Sequence, residues 1–184
     1  MLKKSREINL VIIGGAGRNV GKTEFVCRLI QSFSAEYDIY ALKVSAIFPD
    51  EHLYHGDHSR DFPEGKLFEE NRLNGPKDTS RMLRAGAKKV FYLRSDDAGI
   101  EAGYREFSKR IPDNALVVCE SNSLRSVVDP AIHIVVRSVS GEIKPRALAQ
   151  LARADLVVVS DGTSGFSELD SIEIVDGNCW QLIP

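Results

Sequence analysis

The sequence lacks most features that mark secreted, membrane-embedded or nucleic-acid-binding proteins. It has three cysteines in 184 residues and no CxxC pair, so their spacing indicates neither structural zinc nor a redox-active dithiol. The formal charge of -2 gives no reason to expect nucleic acid or an anionic membrane as a partner. The apolar run near the N-terminus covers only residues 10–13, too short for a signal peptide or a membrane span. We therefore expect a cytoplasmic protein whose thiols, Cys27, Cys119 and Cys179, are free and buried.

Short apolar runs alternate along the chain with segments of helical period. The runs are rich in β-branched residues and mostly continuous, which is typical of strands buried on both faces of a parallel sheet. Neither an internal repeat nor a low-complexity tract interrupts them. The predicted strands are residues 9–13, 39–44, 90–93, 116–119, 132–136 and 156–159.

The segments between these runs predict amphipathic helices. One apolar stripe covers residues 25–33, a second covers residues 100–111, and Pro145 suits the first turn of a third helix. Asp78 or Thr79 could cap a short helix that stops at Gly86. This alternation predicts a single three-layer α/β domain over residues 1–184, with a mostly parallel central sheet.

The stretch GGAGRNVGKTEF, residues 14–25, fits the phosphate-loop pattern and lies between a predicted strand and a predicted helix. Glycines let consecutive backbone N–H groups form an anion-binding nest, and the helix N-terminus adds its positive dipole end. Lys22 would reach the β- and γ-phosphates, and the Thr23 hydroxyl would ligate Mg²⁺. The context predicts the P-loop NTPase fold. The predicted nucleotide-binding residues of this stretch are Ala16, Gly17, Arg18, Asn19, Val20, Gly21, Lys22, Thr23 and Glu24.

A magnesium nucleotide site usually needs a carboxylate at the end of another apolar strand. Glu120 ends the run ALVVCE, and Asp161 follows the run DLVVVS. An acid directly after a buried strand favours a site role for Glu120, as an Mg²⁺ ligand together with Thr23. Asp161, within SDG, either caps a turn or contacts the base or the metal shell, and we include it among the nucleotide-binding residues.

Residues 45–77 carry much charge and little periodicity, so we predict a long loop that serves as a lid or as a substrate or partner segment. His52, His55 and His58 recur there every third residue among several carboxylates. A solvated loop, a grip on a phosphorylated substrate and a transition-metal site are the alternatives for these histidines. His133, within IHIVV, is interpreted as a core or sheet-face residue.

Three stretches together resemble the MobB family, the molybdopterin-guanine dinucleotide biosynthesis protein B family of P-loop GTP-binding proteins. They are AGRNVGKTEF, then GPKDTSRMLRAGAKKV, then ALVVCES with the later ADLVVVSDG. The chain departs from the family's pattern at Val44, where a histidine is usual, and at Ser121, where a glycine is usual. The residues that match the family's motifs are Lys43, Asp57, Asp61, Lys77, Asp78, Thr79, Arg81, Ala85, Gly86, Ala87, Glu120, Ser160 and Asp161.

The resemblance implies a cytoplasmic, homodimeric protein that binds Mg-GTP, with ATP as the alternative nucleotide, and hydrolyses it slowly. It would assist the attachment of a guanine nucleotide to molybdopterin, as an adaptor for the guanylyltransferase. Lys22, Asp78 and Glu120 are then the predicted catalytic residues. Lys43, Lys77 and Arg81 would contact phosphate or substrate, because their charges suit a triphosphate.

Two other functions fit the same residues. One is a small-molecule kinase in which Asp78 or Glu120 is the base for a substrate hydroxyl and the long loop is the lid. The other is a nucleotide switch or metallochaperone whose histidine-rich loop binds metal. The sequence has no NKxD motif, so it does not decide between guanine and adenine.

Overall fold

The computed structural model describes residues 6–46, 67–140, 145–163 and 165–183. Most of the described residues belong to strands and helices joined by short turns. The strands are β1 (Arg6–Gly15), β2 (Ile39–Ala46), β3 (Leu67–Glu69), β4 (Lys89–Ser95), β5 (Leu116–Glu120), β6 (Asp129–Ser138), β7 (Leu156–Ser160), β8 (Ile172–Val175) and β9 (Cys179–Leu182). The helices are α1 (Lys22–Phe33), α2 (Asp78–Arg84), α3 (Ile100–Ser108) and α4 (Pro145–Leu151), with short 3₁₀ turns at Leu124–Ser126 and Ser167–Ser171.

Seven strands form one sheet in the order β3-β4-β2-β5-β1-β6-β7. Six of them run parallel, and β3 pairs antiparallel with β4. All six strands predicted from the apolar runs are present, which confirms an α/β fold with a mostly parallel central sheet. The first strand therefore lies inside the sheet, and its carboxyl end faces the crevice where parallel α/β sheets bind ligands.

Successive residues of β1 face different cores, as expected for a strand buried on both sides. Val11 and Ile13 pack with α1, α2 and the β8–β9 hairpin, whereas Leu10 and Ile12 pack with α3. α4 packs through Ala147 in a smaller cluster. The predicted apolar stripes of α1 and α3 are thus buried, on opposite faces of the sheet.

Local details differ from the prediction around α2. Lys77, not Asp78 or Thr79, is the residue before the helix, and its side chain makes no cap hydrogen bond. The Thr79 hydroxyl instead donates to Glu70 at 2.7 Å, because the segment before α2 folds back along the helix. The helix does end near Gly86, which adopts a left-handed conformation with φ of 107°.

Part of the predicted loop over residues 45–77 belongs to strands. Its first two residues belong to β2, and Leu67–Glu69 form β3 because the sheet edge at β4 offers free backbone partners. Residues 47–66, with His52, His55, His58, Asp57 and Asp61, lie outside the described residues.

The three cysteines are free thiols, but only Cys119 is buried; Cys27 and Cys179 are partly exposed, so burial was predicted correctly for one of them. Burial raises the pKa of Cys27 to about 11 and raises that of Cys119 well above its ordinary value. His133 is 1% exposed and lies in the sheet, as predicted. In the described part of the chain, no helix is long and apolar enough to cross a bilayer.

Candidate functional site at the carboxyl ends of the strands

The glycine-rich loop joins β1 to α1 through two left-handed residues, Asn19 with φ of 54° and Gly21 with φ of 88°. Position 21 requires glycine for two reasons. Its positive φ favours glycine, and an added Cβ would lie 2.7 Å from the Ser160 hydroxyl oxygen. The amide of Ala16 donates to the Val136 carbonyl at 2.8 Å. Ala16, one of the predicted phosphate-binding residues, therefore anchors the loop to β6 with its amide.

The side chain of Lys22 folds back over the start of the loop. A Cβ on Gly15 would lie 2.6 Å from Cδ and 2.8 Å from Cγ of Lys22, so only glycine leaves room for this path. Burial lowers the pKa of Lys22, and Lys43 lowers it further, while Glu120 and Asp78 oppose the shift. The Lys22 ammonium thus lies at the loop in a poorly solvated place, where a bound anion would stabilise its positive charge.

Glu120 lies at the centre of a cluster of charged residues next to the loop. It ends β5 and is 5% exposed. The Thr23 hydroxyl donates to its Oε2 at 2.9 Å, and the Lys43 ammonium donates to its Oε1 at 3.0 Å. Lys43 also donates to Asp78 Oδ2. The structure therefore brings together four predicted site residues from β2, β5, α1 and α2.

Burial disfavours the charge on Lys43, but Glu120 and Asp78 together outweigh this effect and raise the pKa of Lys43. The sheet register explains the contact, because Lys43 and Glu120 are direct neighbours across β2 and β5. The two side chains project from the same face, toward α1 and α2.

The remaining predicted charges extend this network along the two helices. Arg81 donates through Nη2 to Glu24 Oε2 at 2.6 Å, and its Nη1 lies 4.0 Å from Asp78 Oδ1. Glu24 also accepts from Arg28 at 3.0 Å. Lys77, exposed, precedes Asp78 at the start of α2. Arg81 is therefore directed at carboxylates, not at the loop.

An open cleft of about 570 Å³ lies on the other side of the loop, between α1 and the end of β7. Asp161 lines it and accepts from the Thr163 amide at 2.8 Å, which closes a tight turn. The turn interpretation of Asp161 is therefore confirmed, and the same residue faces the cleft. Other lining residues are Asn19, Gly21, Glu24, Ser160 and Phe166.

Asn122 was missed by the sequence reasoning although it holds the loop directly. Its Oδ1 accepts from the Gly15 amide at 2.7 Å, and its Nδ2 donates to the Gly15 carbonyl at 3.3 Å. Gln150 of α4 donates to the Asn122 carbonyl at 2.9 Å. Asn122 lies two residues after Glu120, just beyond the end of a buried strand. This position is the signal by which the sequence could have identified Asn122 as a residue that holds the loop.

The residues present suit a magnesium ion bound together with phosphates. Thr23 and Glu120 offer hard oxygen atoms side by side, and Mg²⁺ typically takes one or two protein ligands while phosphates and water supply the others. Within the described ranges, no group of three or more His, Cys, Asp or Glu side chains could hold a metal ion by itself.

Comparison of the chain with protein-family models, with curated proteins and with solved structures finds no match.

We expect Gly15→Ala to weaken triphosphate binding by about tenfold with little loss of stability, since the new methyl group displaces a flexible lysine stem and not backbone. Titration with a fluorescent triphosphate analogue and thermal melting measure the two effects. Gly165→Ala is the control, because an added Cβ there meets nothing within 4 Å. Unchanged affinity would show that the position of Lys22 is unimportant.

Proposed function

We propose that the chain is a P-loop nucleotide-binding protein that takes a magnesium nucleoside triphosphate at the glycine-rich loop. One observation carries the proposal. Lys22 folds over the loop at the end of β1, while the adjacent Thr23 hydroxyl is hydrogen-bonded to Glu120 at the end of β5. An ammonium, a hydroxyl and a carboxylate in this arrangement suit a phosphate chain and its cation.

In this proposal each residue has a distinct task. Lys22 donates to the outer phosphates, and the loop amides after Ala16 form the anion cradle. Thr23 and Glu120 would hold Mg²⁺, which supplies charge neutralisation of the phosphates. Asp78 orients the attacking water or hydroxyl. Intrinsic hydrolysis is slow, since Arg81 is engaged with Glu24 and thus directed away from the phosphates.

The finer proposal follows from the resemblance to the MobB family. The nucleotide is then GTP, with ATP as the alternative, and the protein is a slow GTPase that assists molybdopterin guanine dinucleotide synthesis. Its partners would be molybdopterin, the guanylyltransferase and a second copy of the chain. The cleft beside Asp161 is the space available for the nucleoside.

A kinase remains the second candidate, because the Asp78 carboxylate is held near Glu120 by Lys43, where it could take the proton of an acceptor hydroxyl. Incubation with γ-labelled GTP or ATP and Mg²⁺ separates the two activities. We expect free labelled phosphate without any added acceptor, and Asp78→Asn should bind nucleotide normally while releasing phosphate about tenfold more slowly. Label appearing only when an acceptor is added, and on that acceptor, would favour the kinase. An unchanged rate would reduce Asp78 to a structural residue.

A further inference from the structure

Lys43 occupies the place between two carboxylates at the centre of the site. Its ammonium donates to Glu120 Oε1 at 3.0 Å and to Asp78 Oδ2. The three residues belong to β2, β5 and α2, which are far apart in sequence. The Lys43 side chain is 18% exposed and that of Glu120 is 6% exposed, so water shields this part of the network weakly. A single cation thus bridges Asp78 and Glu120, the carboxylate that also accepts from Thr23.

The charges of the four central side chains cancel. Lys22 and Lys43 carry two positive charges, and Asp78 and Glu120 carry two negative charges. A free divalent cation therefore meets no net negative field, and it gains Glu120 and Asp78 only by displacing an ammonium. A polyphosphate changes this balance, because its anionic oxygens offer the lysines another partner.

We propose that Lys43 is a tethered cation that keeps free divalent metal away from the Asp78–Glu120 pair until a polyphosphate draws its ammonium away. The inference rests on the proposed function, since the polyphosphate is the bound triphosphate. Metal and nucleotide then enter together. By linkage, each raises the affinity for the other by the same factor.

The test is a titration of the nucleotide-free protein with Mn²⁺, in which electron paramagnetic resonance measures the bound ion. Wild type should bind Mn²⁺ weakly. Lys43→Met leaves two facing carboxylates without their cation, so we expect it to bind Mn²⁺ at least about tenfold more tightly. In chelator its melting temperature should fall by about 5 °C, and Mn²⁺ should restore most of this loss.

Two control variants isolate the effect. Lys89→Met removes a lysine that pairs with Glu69 at 3.3 Å on β3, away from the site, and should bind Mn²⁺ as wild type does. Lys43→Met combined with Asp78→Asn lacks one of the two carboxylates and should lose the gain. If Lys43→Met does not fold, Lys43→Gln takes its place, because its amide keeps a hydrogen-bond donor beside the carboxylates. We expect the same gain in Mn²⁺ affinity, since glutamine also removes the positive charge.

Equal Mn²⁺ affinity in wild type and Lys43→Met would overturn the inference about Lys43. The titration contains no nucleotide, so this outcome is separate from the fate of the proposed function. A wild type that binds triphosphate but shows no difference in Mn²⁺ affinity sinks only the tethered cation. A wild type that binds no triphosphate sinks the proposed function itself.

Discussion

Lys22→Met is expected to weaken triphosphate binding by about 100-fold, the effect of losing charge-assisted hydrogen bonds of about 1.5–3 kcal/mol to the outer phosphates. Methionine keeps the aliphatic stem that covers Gly15 and removes only the ammonium. Equilibrium titration with fluorescent GTP and ATP analogues in Mg²⁺ measures the loss. The variant should lose affinity for both nucleotides, because in the proposed function Lys22 contacts phosphate and not the base.

The same substitution has a second readout that a structural role would not produce. Burial lowers the pKa of Lys22, so the site by itself disfavours the charge of this side chain. We therefore expect nucleotide-free Lys22→Met to melt at the wild-type temperature or higher. Lys88→Met is the control, since Lys88 lies at the surface in an ion pair with Asp38. A variant that kept its triphosphate affinity would refute the phosphate-loop assignment.

The order of strands and helices along the chain could be predicted because the parallel strands inside the sheet are largely buried on both faces and read as continuous apolar runs. β7, at the sheet edge, leaves Val157 and Val159 exposed but still reads as an apolar run. β3 could not be predicted, since it has three residues and derives its pairing from the edge of β4. The β8–β9 hairpin was missed although its signal is present. Asp176 and Gly177, both with positive φ, form an Asp-Gly turn between apolar segments.

The grouping of the predicted site residues was predictable where it follows from position along the chain. Lys22 and Thr23 belong to a local motif, and Glu120 is the acid that ends a buried apolar run, so local sequence was enough to select all three as candidates. Which side chains contact one another within the site was not predictable. Lys43 is 77 residues from Glu120 and 35 from Asp78, and their contact depends on β2 lying beside β5 in a particular register. Side-chain pairing across a sheet is a property of the assembled fold.

The same limit explains why Arg81 was predicted to contact phosphate. Its spacing from Asp78, one helical turn, is correct, and the two side chains do approach each other. However, α1 packs beside α2 and presents Glu24 to the guanidinium at 2.6 Å. The sequence alone does not show which carboxylate an arginine will meet. The phosphate contact of Arg81 stays a prediction, and it would require Arg81 to leave Glu24.

Glu120→Ala is expected to cause the largest loss of stability. It removes the acceptor of Thr23 and one of the two carboxylates that neutralise Lys43, in a place where water cannot substitute. Removing one partner of a buried pair typically costs 3–5 kcal/mol, and because Asp78 remains bound to Lys43 we expect about 3 kcal/mol here. The melting temperature should fall by about 9 °C.

Glu120→Gln separates the charge of this residue from its hydrogen bonds. The amide oxygen still accepts from Thr23, but the amide NH₂ cannot accept from Lys43, so the cost should be about 2 kcal/mol, less than that of Glu120→Ala. The loss of a hard anionic ligand should weaken Mg²⁺-dependent triphosphate binding as strongly as Glu120→Ala does. Exposed Glu36→Ala is the control for loss of a carboxylate. If glutamine and alanine at position 120 lowered the melting temperature equally, the buried charge pair would be the dominant stabilising contact of Glu120. If glutamine preserved full Mg²⁺-dependent affinity, Glu120 would be a structural partner of Lys43 and Thr23 and not a magnesium ligand.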